Sequence, residues 1–430
     1  MPRNSSLALA ALAVVLAGCG VASTPTAAAP ATTSPIATTA VTETASATSS
    51  PVARSAPTMR FLSEPQAGIA PWLTAIQSAQ HRIEVNEYLL TDSSLIAALR
   101  QAAQRGVTVD VIIDGKPYGD NSAVATTRAA FAGSKVQLHL APTRFTGSWQ
   151  YDHAKYLVVD AGTAHALAIV GSPNGTASAF DGANLEDAIE TSAPAITKAL
   201  TAVFHADWTN TRAGVGPRKS LVLSPGSQAA LVRLLQSKGP VEVMTEELGD
   251  AGALYQALDA HGSGARVLVP ASLSAEDQSY AAALQQKGVQ VRTLSAPYVH
   301  AKLVLTPTET FVGSQNFSIV SLNDNREVGL ITSAANIHRQ ALAWFNAEWV
   351  HATPWQPPSS TSPAPISRGS GSESLPYIPK GDTPAQVERL WGKPSSISSD
   401  TYQGVPETVW HYAGGTVYFE HGVVTYVKRR

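Results

Sequence analysis

The chain has 430 residues, with 30 Lys and Arg against 32 Asp and Glu and a formal net charge of −2 at pH 7. That balance argues against a nucleic-acid-binding protein, because such proteins usually carry a basic footprint for phosphate contacts. Cys19 is the only cysteine, which excludes a disulfide within the monomer.

The N-terminus has the form of a secretory signal, because Arg3 precedes an apolar run of Ala, Leu and Val that ends at Ala17. The last four residues of this signal, Leu16-Ala17-Gly18-Cys19, resemble the lipobox of bacterial lipoproteins. The resemblance implies that residues 1–19 are a lipoprotein signal peptide and that Cys19 receives a diacylglyceryl group. The protein would then be exported and lipid-anchored on the extracytoplasmic side of the cell membrane or outer membrane. The alternative is an ordinary signal peptide that contains a cysteine by chance.

Residues 20–58 are nearly all Ala, Thr, Ser and Pro. This segment lacks the large apolar side chains that a core requires, so we expect a disordered tether. A tether of this kind would let a lipid-anchored body reach away from its membrane or lie on it.

Residues 59–215 and 216–352 form two units in which helices alternate with apolar strands. In the first unit the pattern predicts helix 69–78, strand 82–90, helix 94–105, strand 107–113 and helix 195–208. In the second it predicts helix 228–236, strand 241–246, helix 253–260, strand 266–269 and helix 336–349. Such alternation is typical of an α/β fold whose sheets are covered by helices.

One chemical pattern occurs once in each unit. The first copy contains His153, Lys155, Gly171, Ser172, Asn174 and Glu186, and the second contains His300, Lys302, Gly313, Ser314, Asn316 and Glu327. In each copy His and Lys are two positions apart beside an apolar run, so strand alternation would place them on one face. A single His-x-Lys is common by chance, whereas two copies with the same trailing residues are not.

These residue types suit the chemistry of a phosphate group. Ammonium, hydroxyl and amide groups together supply donors for its non-bridging oxygens. With two such clusters, one histidine can attack phosphorus while the other protonates the leaving oxygen. Glu186 and Glu327 can each hold an imidazole by its second nitrogen and so fix the tautomer.

At these residues the chain resembles the phospholipase D superfamily, whose hallmark is His-x-Lys-x4-Asp followed by Gly-Ser-x-Asn. The resemblance implies two tandem phospholipase D-like α-β-α sandwich units, packed side by side with one active site at their interface. It also implies a phosphohistidine intermediate and no metal or cofactor. On this basis we assign His153 as the nucleophile and His300 as the general acid. Phosphate oxygens are held by Lys155, Lys302, Asn174 and Asn316, with Ser172 and Ser314 as further substrate-binding residues.

The two copies differ at the last hallmark position. The first copy has Asp160, which we interpret as structural support, and the second has Pro307. Proline has no side-chain hydrogen-bond acceptor, so we interpret this position as a lost support rather than a lost catalyst.

Other polar and aromatic residues near the motifs have two interpretations. Glu84, Glu87, Glu246 and Glu247 either line the cleft or have structural partners, and the second interpretation is favoured. Three aromatic residues flank the motifs and either stack on a substrate or pack in the core: Trp149, Tyr151 and Tyr298.

A Pro, Ser and Thr-rich linker at 353–375 precedes a small C-terminal domain at 376–430. Thr383, Pro384 and Gln386 predict a capped helix that stops at Gly392. Three β-rich runs follow, at 408–412, 416–420 and 423–427. This domain resembles the small α+β domain of outer-membrane assembly lipoproteins of the SmpA/OmlA type, which implies docking to an envelope protein. A spacer or stabilising role is the alternative.

The motifs do not choose among phosphodiester substrates. The charge balance and the expected lipid anchor favour hydrolysis or transesterification of phospholipid headgroups at the membrane. The alternatives are an envelope-associated endonuclease, which would show a basic groove between the motifs, and a noncatalytic envelope or lipid-binding protein with a decayed second site. In the last case the two histidines would lie too far apart to share one phosphate.

Overall fold

The structure is a computed structural model. It describes residues 57–118, 122–147, 149–357, 378, 383–402, 405–412, 415–420 and 422–429. The predicted signal peptide with Cys19, nearly all of the predicted tether and most of the predicted linker lie outside the described residues. No helix in the described part of the chain is long and apolar enough to cross a membrane.

The first half forms a mixed sheet with strand order β1-β7-β6-β5-β2-β3-β4. Its strands are β1 (Met59–Glu64), β2 (Arg82–Glu87), β3 (Thr108–Ile113), β4 (Gln137–Leu140), β5 (Tyr156–Val159), β6 (Leu167–Gly171) and β7 (Asn184–Thr191). Its helices are α1 (Ala70–Ser78), α2 (Ser93–Gln104), α3 (Ser122–Phe131) and α4 (Pro194–Trp208). All four residues of β5 are buried, as expected for an apolar strand covered on both faces.

The second half repeats this architecture with strand order β16-β11-β10-β9-β13-β14-β15-β8. Its strands are β8 (Val222–Ser224), β9 (Val241–Met244), β10 (Ala265–Pro270), β11 (Gln290–Leu294), β12 (Tyr298–Val299), β13 (Leu303–Leu305), β14 (Thr310–Gly313), β15 (Glu327–Thr332) and β16 (Thr353–Pro354). Its helices are α5 (Gln228–Leu235), α6 (Gly252–Asp259), α7 (Ala275–Gln286), α8 (Ile319–Asn323) and α9 (Ala335–His351). The predicted α/β fold of two tandem units is therefore confirmed.

Strand β12 belongs to the second half by sequence but pairs with the first sheet. Tyr298 and Val299 align in parallel with Asn184 and Leu185 of β7. One buried apolar cluster also contains side chains from both halves, such as Val170 and Leu185 with Val312 and Val328. Burial of this shared apolar surface holds the two sheets side by side.

The C-terminal domain packs one helix on an antiparallel sheet. The helix is α10 (Pro384–Trp391), and the sheet runs through β17 (Ser396–Tyr402), β18 (Val405–Tyr412), β19 (Gly415–Glu420) and β20 (Val423–Arg429) in that order. The predicted capping box is present, with the Thr383 N–H donating to Gln386 Oε1 at 2.9 Å. Strand β17 was not predicted, because its serine-rich sequence lacks an apolar alternation.

Candidate active site

Backbone pairing between the halves positions both histidine segments. The His153 N–H donates to the Arg326 carbonyl at 2.8 Å, and the Arg326 N–H donates to the Tyr151 carbonyl at 2.9 Å. In the same way the His300 N–H donates to the Leu185 carbonyl at 3.1 Å. Each histidine therefore lies beside the residue that immediately precedes the other half's glutamate.

The consequence is a crossed pair of imidazole–carboxylate contacts. His153 Nδ1 lies 3.0 Å from Glu327 Oε2, and His300 Nδ1 lies 2.7 Å from Glu186 Oε2. Both carboxylates are fully buried. Because each carboxylate accepts a hydrogen bond from Nδ1–H, the Nε2 atom of each ring is left outside this contact.

The two carboxylates are held in the charged form despite their burial. Burial alone would raise the pKa of Glu186, but His300 and a hydrogen bond from Ser172 lower it below its ordinary value. The pKa of Glu327 is lowered in the same way, with His153 and Lys155 outweighing the effect of burial. Each carboxylate also accepts a hydrogen bond at 3.0 Å from the asparagine two positions before it, Asn184 or Asn325. That contact gives the Asn-x-Glu spacing its physical reason.

The two lysines lie beneath the histidines. Lys155 Nζ donates to the His153 carbonyl at 2.6 Å, and Lys302 Nζ donates to the His300 carbonyl at 2.6 Å. Lys302 Nζ also lies 2.8 Å from Glu246 Oε2. Burial, opposed by the charge of Glu327, lowers the pKa of Lys155 to about 8.

The two motif serines have partners within the protein. Ser172 is fully buried and donates its hydroxyl to Glu186 Oε2 at 2.6 Å, while Ser314 is also fully buried and contacts the backbone of Val328. Neither hydroxyl lies on the wall of the cavity. Binding of substrate by the serines stays a prediction, and in this structure their hydroxyls contact Glu186 and the backbone of Val328.

The glycine before Ser172 is required by the close approach of β7. An added Cβ at Gly171 would lie 2.1 Å from the Asp187 carbonyl oxygen and 2.5 Å from Ala188 Cα. In the first motif, Gly171 thus allows close packing on β7, and Ser172 holds Glu186, the carboxylate that contacts His300.

Both histidines line one cavity of about 650 Å³. Asn174 and Asn316 line it too, and the amide oxygen of each is buried without a partner among the described residues. Amide groups offer donors and an acceptor, so these side chains present hydrogen-bonding groups to the cavity. A noncatalytic protein was expected to have its two histidines far apart, whereas here both line the same cavity.

The rest of the wall is aromatic and acidic. Its aromatic residues are Tyr88, Tyr118, Trp149, Tyr151 and Tyr298. Its acidic residues are Glu246, Glu247, Asp250, Glu276 and Asp277. Of the described residues that form this wall, none is Lys or Arg, and two, Ile378 and Val427, come from the C-terminal part of the chain.

The four early glutamates have two different fates. Glu246 and Glu247 line the cavity, contrary to the favoured interpretation, whereas Glu84 contacts Arg82, Thr201 and His205 away from it. Glu87 accepts the Gly175 N–H at 3.1 Å. Sequence reasoning missed Tyr88, although it directly follows β2 at the end of the predicted strand.

Asp160 acts as structural support at the end of β5. Its carboxylate accepts the backbone N–H groups of Gln80, His81 and Arg82, each at 2.8 Å. At the matching place in the second half, Pro307 packs on Gly239, where an added Cβ would lie 2.7 Å from the Pro307 Cγ. Strand register matches Arg82 with Pro240, which has no N–H to donate. The second half thus lacks both the counterpart of Asp160 and one of the backbone N–H groups that would donate to it.

Within the described residues, no group of three or more His, Cys, Asp or Glu side chains is arranged to hold a metal ion.

The sequence matches the family model described as "Cardiolipin synthase, PLD-like domain" over residues 72–208 and 229–349, together more than half of the chain. The two matched segments contain one His-x-Lys motif each. No curated protein matches the sequence significantly.

Two solved structures share the fold at low sequence identity, and a third is similar over a shorter segment. Phosphatidylserine synthase from Haemophilus influenzae is 11% identical, with a TM-score of 0.54 over 69% of this chain and 87% of that chain. Polyphosphate kinase from Porphyromonas gingivalis is 14% identical, with a TM-score of 0.53 over 68% of this chain and 50% of that chain. This chain thus spans half the length of the kinase. The phospholipase D family member Nuc from Salmonella typhimurium is 24% identical, with a TM-score of 0.32 over 36% of this chain and 97% of that chain.

Proposed function

Because the chain belongs to the PLD-like family of cardiolipin synthase, whose members act on phosphodiester bonds, we propose that it hydrolyses the headgroup bond of a phospholipid. The observation that carries this proposal is the crossed His–Glu pairing in one cavity of about 650 Å³, which is large enough for a phosphodiester and its headgroup.

The chemistry requires two steps. In the first, His153 Nε2 attacks phosphorus and the headgroup oxygen leaves with the Nε2 proton of His300. This forms a phosphohistidine and a free alcohol. In the second, His300 takes a proton from water, the water oxygen attacks phosphorus, and the P–N bond breaks to give phosphatidic acid. An alcohol in place of water would give transesterification.

Side chains on the cavity wall and behind it support each step. Asn174 and Asn316 line the cavity, and Lys155 and Lys302, which are buried behind the wall with Nζ on the His153 and His300 carbonyls, would add positive charge that stabilises the phosphate oxygens. Glu327 and Glu186 hold the Nδ1 atoms of the two rings, so each Nε2 is oriented before the substrate arrives.

Charge favours a phospholipid over a nucleic acid. Carboxylates line the cavity beside the phosphate position, and neither Lys nor Arg does so among the described lining residues. A polyanion that extends beyond one phosphate would meet this acidic wall, whereas nucleic-acid enzymes track phosphates with basic side chains. A lipid anchor at Cys19, which we also propose, would place the cavity beside its substrate.

The test is an assay of the full-length chain in detergent with EDTA, against phosphatidylcholine, phosphatidylethanolamine and plasmid DNA. We expect release of the headgroup alcohol and phosphatidic acid from at least one lipid, together with an acid-labile phosphohistidine after rapid quenching. The His153→Ala variant should form neither. Cleavage of DNA without turnover of any phospholipid would refute the proposal and favour a nuclease.

A further inference from the structure

The two halves differ at one position beside the reacting atoms. Strand register matches Val85 with Val243, because they pair with Leu157 and Val304, which stand four residues after the two histidines. The residue three positions further along is Tyr88 in the first half and Glu246 in the second. One histidine therefore has an aromatic ring where the other has a carboxylate.

His300 lies between two carboxylates. Its Nδ1 is 2.7 Å from Glu186 Oε2, and its Nε2 is 3.4 Å from Glu246 Oε2. A neutral ring that donates Nδ1–H to Glu186 would turn a lone pair on Nε2 toward a second anion. Only the doubly protonated ring makes both contacts attractive.

Glu246 is itself fixed in the charged form. Its Oε2 accepts from Lys302 Nζ at 2.8 Å, and its Oε1 accepts from the Tyr298 hydroxyl at 3.2 Å. Burial would raise the pKa of Glu246, but His300 and Lys302 lower it well below its ordinary range. The contact with Lys302 thus favours a negative charge on this carboxylate, next to Nε2.

Among the described residues, His153 has one carboxylate within ion-pair distance, that of Glu327. Tyr88 packs edge-on against it with ring centroids 4.7 Å apart, and the same Tyr88 ring faces Lys155 Nζ at 5.0 Å. Burial, together with the charge of Lys155 and against that of Glu327, lowers the pKa of His153. A neutral imidazole with a free Nε2 lone pair is the form that a nucleophile needs.

We propose that Glu246 is a positioning residue that keeps the proton on His300 and so divides the roles of the two motifs, with His300 as general acid and His153 as nucleophile. This inference rests on the proposed function. When substrate binds, the leaving oxygen replaces Glu246 as the acceptor of the Nε2 proton, while Glu246 keeps its contact with Lys302. After proton transfer, the neutral His300 is the base for water in the second step.

Other titratable groups near His300 belong to both halves. They are Glu186 on β7, Asp187, Lys302, Tyr298 on β12, and His153 with Lys155 from the first motif. Two of the acids differ between the motifs. Asp187 corresponds to Val328 but accepts the backbone N–H of Lys302, whereas Glu246 corresponds to Tyr88 and lies next to the His300 ring.

Protonation can be measured without turnover. In the full-length chain with ¹⁵N-labelled histidine, we expect the imidazolium pattern for His300 and the neutral pattern for His153 at pH 7. The Glu246→Gln substitution should convert His300 to the neutral pattern and leave His153 neutral. His300→Asn and His153→Asn assign the two sets of signals.

Glu247→Gln is the matched control. Glu247 lines the same cavity, and burial raises its pKa to about 8, so this substitution removes little charge at neutral pH. We expect the His300 signals of this variant to remain those of an imidazolium. A neutral His300 in the unmodified protein, or a charged His300 in Glu246→Gln, would overturn the inference even if lipid hydrolysis is confirmed.

Leaving-group dependence supplies the kinetic readout. Glu246→Gln should lower kcat on phosphatidylcholine by about 10²-fold or more, because choline needs a proton as it leaves. A p-nitrophenyl ester of phosphatidic acid needs no such proton, and its kcat should fall at least about tenfold less. Equal losses on both esters would show that Glu246 only shapes the cavity. Absence of turnover on every ester by the unmodified protein would refute the proposed function, and the NMR result would still decide the role of Glu246.

Discussion

The two halves of the molecule reach the same architecture with different residues, and the differences fall into two kinds. At the strand end behind each motif, three hydrogen bonds to Asp160 in one half correspond to packing of Pro307 on Gly239 in the other. Beside the reacting nitrogens, Tyr88 corresponds to Glu246. In place of the Asp160 hydrogen bonds, the second half has packing of Pro307. Replacing Tyr88 by Glu246 instead adds a carboxylate beside one histidine. A missing hallmark residue is therefore weaker evidence of decay than a change next to the histidines.

Replacing either histidine should cause the largest loss of activity, because the proposed mechanism uses one histidine from each half. We expect His153→Ala and His300→Ala each to lower phospholipid turnover by at least about 10²–10⁴-fold. Steady-state kinetics would measure this loss, and circular dichroism would confirm that the fold is retained. His165→Ala, at an exposed loop position, is the matched control. Full activity in the His300→Ala variant would break the two-histidine mechanism.

The next largest loss of activity is expected from the two carboxylates that hold the histidine rings, Glu327 and Glu186. Glu327→Gln should disturb the tautomer of His153, and Glu186→Gln that of His300, with losses of activity up to about 10⁴-fold. Imidazole ¹⁵N shifts would show which ring responds to each substitution. A response of His300 to Glu327→Gln, with His153 unchanged, would contradict the crossed arrangement.

A buried ion pair joins the two halves, and breaking it should be costly. Arg326 donates from Nε and Nη2 to the two carboxylate oxygens of Asp207 on α4, both at 2.9 Å. Asp207→Asn leaves a buried guanidinium poorly paired and should cost about 3–5 kcal/mol in the free energy of unfolding. The comparison is Glu309→Gln, which breaks the more exposed pair with Arg233 and should cost less than about 1 kcal/mol. Urea unfolding of both variants tests this, and equal costs would count against a stabilising interface.

The smallest expected effects are losses of stability at the two matching strand ends, those with Asp160 and Pro307. Asp160→Ala removes the acceptor of three backbone N–H groups and should destabilise the fold by about 1–3 kcal/mol. Pro307→Ala removes packing and increases the conformational entropy of the unfolded chain. Together these effects should lower the free energy of unfolding by about 1 kcal/mol or less. Neither residue lines the cavity, so kcat should stay unchanged in both variants. A larger loss of stability for Pro307→Ala would reverse our view of the compensation.

Local patterns in the sequence predicted most of the elements. Apolar alternation identified β2 and β3, and the spacing of apolar residues identified α2, whose bounds differ from the prediction by one residue at each end. Contacts across the halves could not be predicted in this way. Glu327 and His153 are 174 positions apart, and nothing in periodicity states that each glutamate serves the other half's histidine. The contacts of the two serines could not be predicted either, since a motif states which residues occur and not which way a hydroxyl points.

The crossed contacts also bear on the order in which the protein becomes reactive. During synthesis the segment with His153 emerges well before Glu327, the residue that orients its ring. The N-terminal half on its own therefore has a histidine without a fixed tautomer and a carboxylate, Glu186, without its imidazole. The proposed mechanism therefore requires β15, which carries Glu327, to dock beside the first half before the His153 ring is oriented.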